Sequence, residues 1–105
     1  MSGSYTAHLA EDCGTILADG SKALAYRHRQ IDPYLDLCNK VILNFSGVRS
    51  ANSSFMNALI SGLLEQHGEQ VLEKLVFKSC KPAIAVLVES AIELGLSKSA
   101  GKVTA

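Results

Sequence analysis

The segment at residues 41–55, VILNFSGVRSANSSF, decides the fold of this chain. It starts with a run of apolar and β-branched residues at 41–45, which is typical of a strand covered on both faces. A Ser-Gly-Val turn follows, and Asn52, Ser53 and Ser54 then stand where an amphipathic helix must begin. Two small hydroxyl groups are therefore expected at a helix N-terminus just beyond the C-terminal end of a strand. Open α/β sheets usually present their functional groups at that place.

Shorter strands are predicted on both sides of this segment. Alternating apolar residues favour a strand at residues 5–9, a second short apolar piece lies at 15–18, and Leu-Val-Phe at 75–77 favours another strand. The run at 41–45 should be the central strand. Together these segments predict a small layered α/β domain, in which three to four helices cover a mostly parallel or mixed sheet of about four strands.

The first long helical pattern begins near Ser21 and is interrupted by Pro33. Proline disfavours the α conformation at Asp32 and removes a hydrogen-bond donor, so the segment is either kinked or split. We favour the split, with one helix at residues 21–30 and a second helix from Pro33 that has Asp32 as its N-cap.

The two later helices have a clearer apolar periodicity. Apolar rows from Ser54 predict an amphipathic helix that ends near His67. Gly62 lies inside this helix, which indicates a close approach to the sheet or to another helix. Pro82 opens the last helix, and Gly95 is expected to cap its C-terminus.

Length and composition restrict the chain to one folded domain. The 105 residues match a single domain, and 48% hydrophobic residues without a long apolar run indicate a soluble globular protein with no membrane span. The small, polar segment at 97–105 is expected to be a disordered tail. Ten basic residues balance ten acidic ones, which argues against nucleic-acid binding. The short run Arg27-His28-Arg29 is interpreted as a solvated helix face or turn.

The three cysteines are widely spaced and form no C-x-x-C pair, so they are expected to be reduced thiols in a cytoplasmic protein. Cys38 and Cys80 lie in apolar patterns and should be buried. Cys13 follows Glu11 and Asp12 and is expected to be exposed. The two acidic neighbours would raise the pKa of its thiol, which opposes a reactive thiolate.

The usual enzymatic motifs do not occur in this sequence. There is no phosphate-binding G-x-x-x-x-G-K-[ST], no dinucleotide-binding G-x-G-x-x-G and no nucleophile elbow G-x-S-x-G. His8, His28 and His67 are scattered without the spacing of metal ligands, and His28 is interpreted as a structural residue. No His, Lys or acidic group is placed by the sequence to activate a serine. We therefore expect a non-enzymatic protein without a cofactor or metal.

Residues 41–55 also resemble a known family. A strand ending in an amide residue, Phe and a Gly-Val pair is followed here by Asn-Ser-Ser-Phe at the head of an amphipathic helix. This pattern is similar to the sulfate transporter and anti-sigma factor antagonist (STAS) superfamily, and more closely to bacterial STAS-like domains of unknown function. The resemblance spans residues 14–96 and includes an Arg…Ile-Asp-Pro segment that ends at Pro33.

The resemblance implies a regulatory role. In anti-sigma factor antagonists the corresponding loop reads Asp-Ser-Ser-Gly-Leu, and a histidine-kinase-like ATPase phosphorylates its second serine, which releases that partner. By position, the phosphoacceptor here would be Ser54, with Ser53 before it, Asn52 in place of the aspartate and Phe55 in place of the glycine. The resemblance thus implies a protein-interaction domain that docks an ATPase of this type through the loop from Asn52 to Phe55.

Other interpretations of the same residues stay open. Serine and asparagine are preferred N-caps, so the triplet serves the start of the helix whether or not a partner binds. Phe55 fits the apolar row of its helix better than an exposed docking position. The main alternative function is a constitutive structural subunit or homodimer module without a switch. An enzyme with a serine nucleophile is the least favoured reading.

Overall fold

The computed structural model describes the backbone of residues 3–103 and the side chains of residues 3–98. Strands and helices alternate along the chain, as the sequence predicted. In chain order the elements are β1 Ser4–His8, α1 Leu9–Cys13, β2 Ile16–Leu17, α2 at residues 20–37, β3 Lys40–Asn44, β4 Ser50–Ala51, α3 at residues 53–67, a 3₁₀ turn at Glu69–Glu73, β5 Leu75–Lys78 and α4 Pro82–Val103.

All strand pairs in the described chain are parallel. β3 lies between β1 and β5, and its Val41 pairs with Tyr5 on one side and Leu75 on the other. The prediction of a central strand at this segment is confirmed, as is the mostly parallel α/β architecture. Instead of one four-stranded sheet, however, β2 and β4 form a separate pair in which Ile16 stands opposite Ser50.

The hydrophobic core lies between the three-stranded sheet and the helices. Val41 and Leu43 of β3 are fully buried. Helix α3 contributes the longest series of buried side chains, each at most 1% exposed: Phe55, Met56, Leu59, Ile60, Leu63 and Leu64. Burial of this apolar face against the sheet holds the start of α3 in place, since apolar burial is the main favourable term in folding.

Helix α2 passes through Pro33 without a break. Its middle turn, Arg27–Ile31, is π-helical and lies between α-helical parts at Gly20–Tyr26 and Asp32–Leu37. A π turn holds one extra residue, so the hydrogen-bond register shifts and the chain accommodates the proline without an interior clash. The predicted split with Asp32 as N-cap is therefore wrong, because Asp32 itself has helical φ and ψ angles of −51° and −45°.

Helices α3 and α4 approach each other at very short range. A methyl group built on Gly95 of α4 would lie 2.6 Å from Cδ1 of Leu64 and 3.1 Å from Cα of Ser61. At the same contact Oγ of Ser61 donates a 2.6 Å hydrogen bond to the carbonyl oxygen of Ala91. The prediction that Gly95 caps the last helix is wrong, since this glycine permits close helix packing inside α4.

The C-terminal segment also differs from its sequence-based expectation. Residues 97–103 continue α4, where the sequence predicted a disordered tail. Lys98 in this extension reaches Glu65 of α3, with 3.6 Å between Nζ and Oε2. This ion pair joins the start of the extension to α3. Residues 104 and 105 of the predicted tail lie outside the described residues.

The burial of the cysteines is nearly the reverse of the prediction. Cys13, expected to be exposed, ends α1 and is 5% exposed. Burial raises the pKa of its thiol, nearby Lys22 acts in the opposite direction, and Asp12 adds to the rise. Cys38 and Cys80 are only partly buried. Burial also raises the pKa of the Cys80 thiol.

Candidate functional site

The loop between β3 and α3 is built by local backbone contacts. After β3, Oδ1 of Asn44 accepts a 2.8 Å hydrogen bond from the backbone N–H of Ser46. Gly47 then takes a φ of +87°, a conformation that favours glycine and lets the chain turn back. Val48 inserts into the core at 1% exposure. The turn therefore leads the chain from the C-terminal end of β3 into the short strand β4 and then into α3.

Asn52 caps helix α3 and also ties it to the start of α2. Its Oδ1 accepts a 2.9 Å hydrogen bond from the backbone N–H of Phe55, which confirms the predicted capping. Its Nδ2 donates a 2.9 Å hydrogen bond to the carbonyl oxygen of Ala18, and its backbone N–H donates to Leu17. An aspartate could make the capping contact but could not donate to Ala18, which explains physically why an amide serves this position.

Replacing Asn52 by alanine is expected to lower the free energy of unfolding by about 1 to 2 kcal/mol, because both side-chain hydrogen bonds are lost. Asn52→Asp should lose less, since it keeps the acceptor for the Phe55 N–H. Urea unfolding of the two variants, followed by circular dichroism, measures the difference. An Asn52→Ala variant as stable as wild type would show that the cap does not contribute.

Ser53 and Ser54 are exposed in the first turn of α3. The Ser54 hydroxyl stands directly against the start of α2, because a methyl group built on Gly20 would lie 2.8 Å from its Oγ. Ser54 lines a shallow cleft of about 700 Å³ together with residues of both helices and the turn before α2: Ala18, Asp19, Gly20, Ser21, Leu24 and Ala58. Ser53 does not line this cleft. The two serines therefore have different surroundings.

Phe55 is separated from this surface. Its side chain is 1% exposed and belongs to the core. The interpretation of Phe55 as an apolar anchor is confirmed, and its place among the partner-binding residues is corrected, because a buried ring cannot contact a docked protein. The surface of the predicted site is thus reduced to Asn52, Ser53 and Ser54.

One polar residue of this region escaped the sequence reasoning. Arg27, interpreted as part of a solvated basic face, is only 6% exposed. A methyl group on Gly62 would lie 2.8 Å from Cζ of Arg27, so the guanidinium packs directly on the backbone of α3. The sequence did contain a signal for this burial. Arg27 lies four residues after Ala23 and four before Ile31, so it belongs to the same helix row as these two buried residues. Gly62 makes the close approach that the sequence indicated.

Two further polar clusters lie away from the serines. Asp32 accepts hydrogen bonds from Nδ1 of His28 at 3.0 Å and Nε2 of His67 at 3.1 Å, which ties α2 to the end of α3. Tyr26 donates a 2.6 Å hydrogen bond to Asp12. Burial and that hydrogen bond raise the pKa of Tyr26 well above its ordinary value. Within residues 3–103, no three His, Cys, Asp or Glu side chains form a group that could hold a metal ion.

Comparison with known proteins places this architecture in a family. No curated protein and no solved structure matches the chain. None of the helices in the described part of the chain combines the length and apolar character needed to cross a bilayer. The model of one family, described as a STAS-like domain of unknown function (DUF4325), matches residues 27–85. This match covers more than half of the chain and includes both β3 and the serine loop. The chain therefore belongs to the family of STAS-like domains of unknown function.

Proposed function

We propose that this chain is a non-enzymatic regulatory domain of the cytoplasm that docks a protein partner against Ser54, the cleft that Ser54 lines and the adjoining exposed side of α3. The observation that carries the proposal is the exposed Ser54 hydroxyl in the cleft between α2 and α3. By its resemblance to anti-sigma factor antagonists, the partner would be an ATPase of the histidine-kinase-like type. That partner would bring its own ATP, so the chain needs no cofactor.

Phosphorylation of Ser54 would switch this surface. A phosphate adds about 1.5 to 2 negative charges and three acceptor oxygens. The cleft already contains the Asp19 carboxylate, whose Oδ1 accepts hydrogen bonds from the backbone N–H groups of Ser21 and Lys22. A phosphate would therefore occupy the part of the cleft beside Ser54 and repel Asp19, although the N-terminal turn of α3 favours a negative charge. A partner fitted to the free hydroxyl would meet a bulky anion and dissociate.

Affinity capture from a lysate of the native organism tests this proposal, with wild type, Ser54→Asp and Ser53→Asp as baits. The Ser53 variant is the matched control, because it adds the same charge to the same helical turn outside the cleft. We expect one partner to be retained by wild type and by Ser53→Asp, and to fall at least tenfold with Ser54→Asp. Mass spectrometry should identify that partner as an ATPase.

Equal retention of a partner by all three baits would contradict the switch. It would favour the alternative of a constitutive subunit or homodimer module, whose interface lies away from the serines. Loss of the partner with both aspartate variants would contradict the assignment to Ser54, since general charge at the start of α3 would then explain the effect.

A further inference from the structure

The second cleft between α2 and α3 contains a buried cation, Arg27, with which no carboxylate of the described side chains pairs. This cleft has a volume of about 510 Å³ and adjoins the Ser54 cleft, because Leu24 and Ala58 line both. Arg27 lies in it with 6% of its surface exposed. Its Nη1 donates a 3.0 Å hydrogen bond to the side-chain oxygen of Gln66. Its Nε is shielded from solvent and has no hydrogen-bond partner among the described side chains.

An unpaired buried guanidinium is unfavourable, because a charge removed from water needs a counter-charge and hydrogen bonds in return. The carboxylate that lines the cleft, Glu65, pairs with Lys98. Within the part of the chain whose side chains are described, no carboxylate oxygen lies within 4 Å of Arg27. The cleft thus offers a guanidinium whose usual partner, a carboxylate, is not supplied by those residues.

The geometry also shows why Arg27 stays in this position. A methyl carbon built on Gly62 would lie 2.8 Å from Cζ and 3.0 Å from Nε of Arg27. Cζ, Nε and Nη2 of Arg27 all lie within 3.1 Å of this one methyl position, so the flat face of the guanidinium lies on Gly62. Because Nη1 already donates to Gln66, a carboxylate in the cleft would pair with the remaining donors of this fixed guanidinium.

We propose that this cleft is a binding site for a small organic carboxylate that pairs with Arg27. The charges in the cleft favour a monoanion over a phosphate dianion, since Arg27 and Lys98 against Glu65 leave one net positive charge. Leu24 and Ala58 provide apolar contacts for a short hydrocarbon part, and the volume falls in the range of small-molecule sites. This site goes beyond the docking role proposed above and does not depend on a protein partner.

Nuclear magnetic resonance on the ¹⁵N-labelled chain tests the site through the Nε–H signal of Arg27. Butyrate is titrated at constant ionic strength, with butyramide as a neutral probe of the same shape. We expect butyrate to shift this signal to saturation with a dissociation constant of about 10 mM, near the tightest binding that one charge-assisted pair supplies. Butyramide should bind at least tenfold more weakly. Absence of saturation, or equal binding of both probes, would overturn the proposal.

Two variants test whether butyrate binds at Arg27. Arg27→Gln should weaken butyrate binding at least tenfold, read from the backbone amide signals of Ser61 and Gly62. Arg29→Gln removes an exposed cation two residues away and should leave the binding unchanged. The same binding in Arg27→Gln as in wild type would overturn the proposal. If Arg27→Gln does not fold, the wild-type comparison of butyrate with butyramide still decides it.

Discussion

Replacement of Phe55 by alanine is expected to lower the free energy of unfolding by about 3 to 5 kcal/mol. The ring is 1% exposed and stands at the point where α3 enters the core, so truncation leaves a cavity that its neighbours fill only in part. A domain of this size has a total stability of about 5 to 15 kcal/mol, so the loss is a large share of it. Urea unfolding followed by circular dichroism measures the change.

The matched variant for this prediction is Phe55→Leu, which keeps most of the buried apolar volume and should be clearly more stable than Phe55→Ala. Under the proposed function, the folded Phe55→Leu protein should also capture the same partner as wild type, because the ring lies in the core and not on the proposed docking surface. A Phe55→Ala variant as stable as wild type would contradict the core assignment of this residue.

Replacement of Gly95 by valine is expected to lower the free energy of unfolding by about 3 kcal/mol, the upper end of the usual effect of overpacking. Even a single methyl group there would lie 2.6 Å from Cδ1 of Leu64 and 3.1 Å from the backbone of Ser61. The helix backbone cannot yield as a flexible side chain can. The two helices must therefore separate, which also breaks the hydrogen bond from Ser61 to Ala91.

Ala83→Val is the control for this second effect, because Ala83 is an exposed residue of the same helix. It introduces the same side chain at an exposed position. We expect it to lower the free energy of unfolding by only about 0.5 kcal/mol, because valine has a weaker helix propensity than alanine. Equal denaturation midpoints for the two variants would show that Gly95 is not at a close helix contact.

The parts of the fold predicted from sequence depend on neighbours in the chain. The strand at 41–45 was identified from its run of apolar and β-branched residues, although only the face of Val41 and Leu43 is fully buried and Ile42 on the other face is half-buried. Asn52 was identified as a cap because its side chain bonds the backbone N–H only three residues later. The family resemblance rests on the same segment. The sequence could not predict that the strands divide into a three-stranded sheet and a separate two-stranded sheet. Strands of two residues, such as β2, are too short to show an alternating pattern.

The features that sequence missed depend on contacts between distant residues. Arg27 is buried because Gly62, 35 positions later in the chain, gives it space, and neither residue alone indicates the pair. The π turn before Pro33 replaces the helix break that local rules require. Glycine often ends a helix, so the sequence predicted a cap at Gly95. The structure instead places Gly95 at the contact between α4 and α3. The sequence correctly predicted that Ser53 and Ser54 lie at the N-terminus of a helix, but it could not tell that Ser54 lines the cleft and Ser53 does not.

Phosphate mapping on the chain recovered from its native cells tests the central claim most directly. The lysate is separated by size into a partner-bound and a free fraction, and the occupancy of phosphate at Ser53 and Ser54 is measured in each by mass spectrometry. We predict phosphate on Ser54 in the free fraction and unmodified Ser54 in the bound fraction, because the phosphate releases the partner. Equal occupancy of Ser54 in the two fractions, or phosphate on Ser53 alone, would contradict the account.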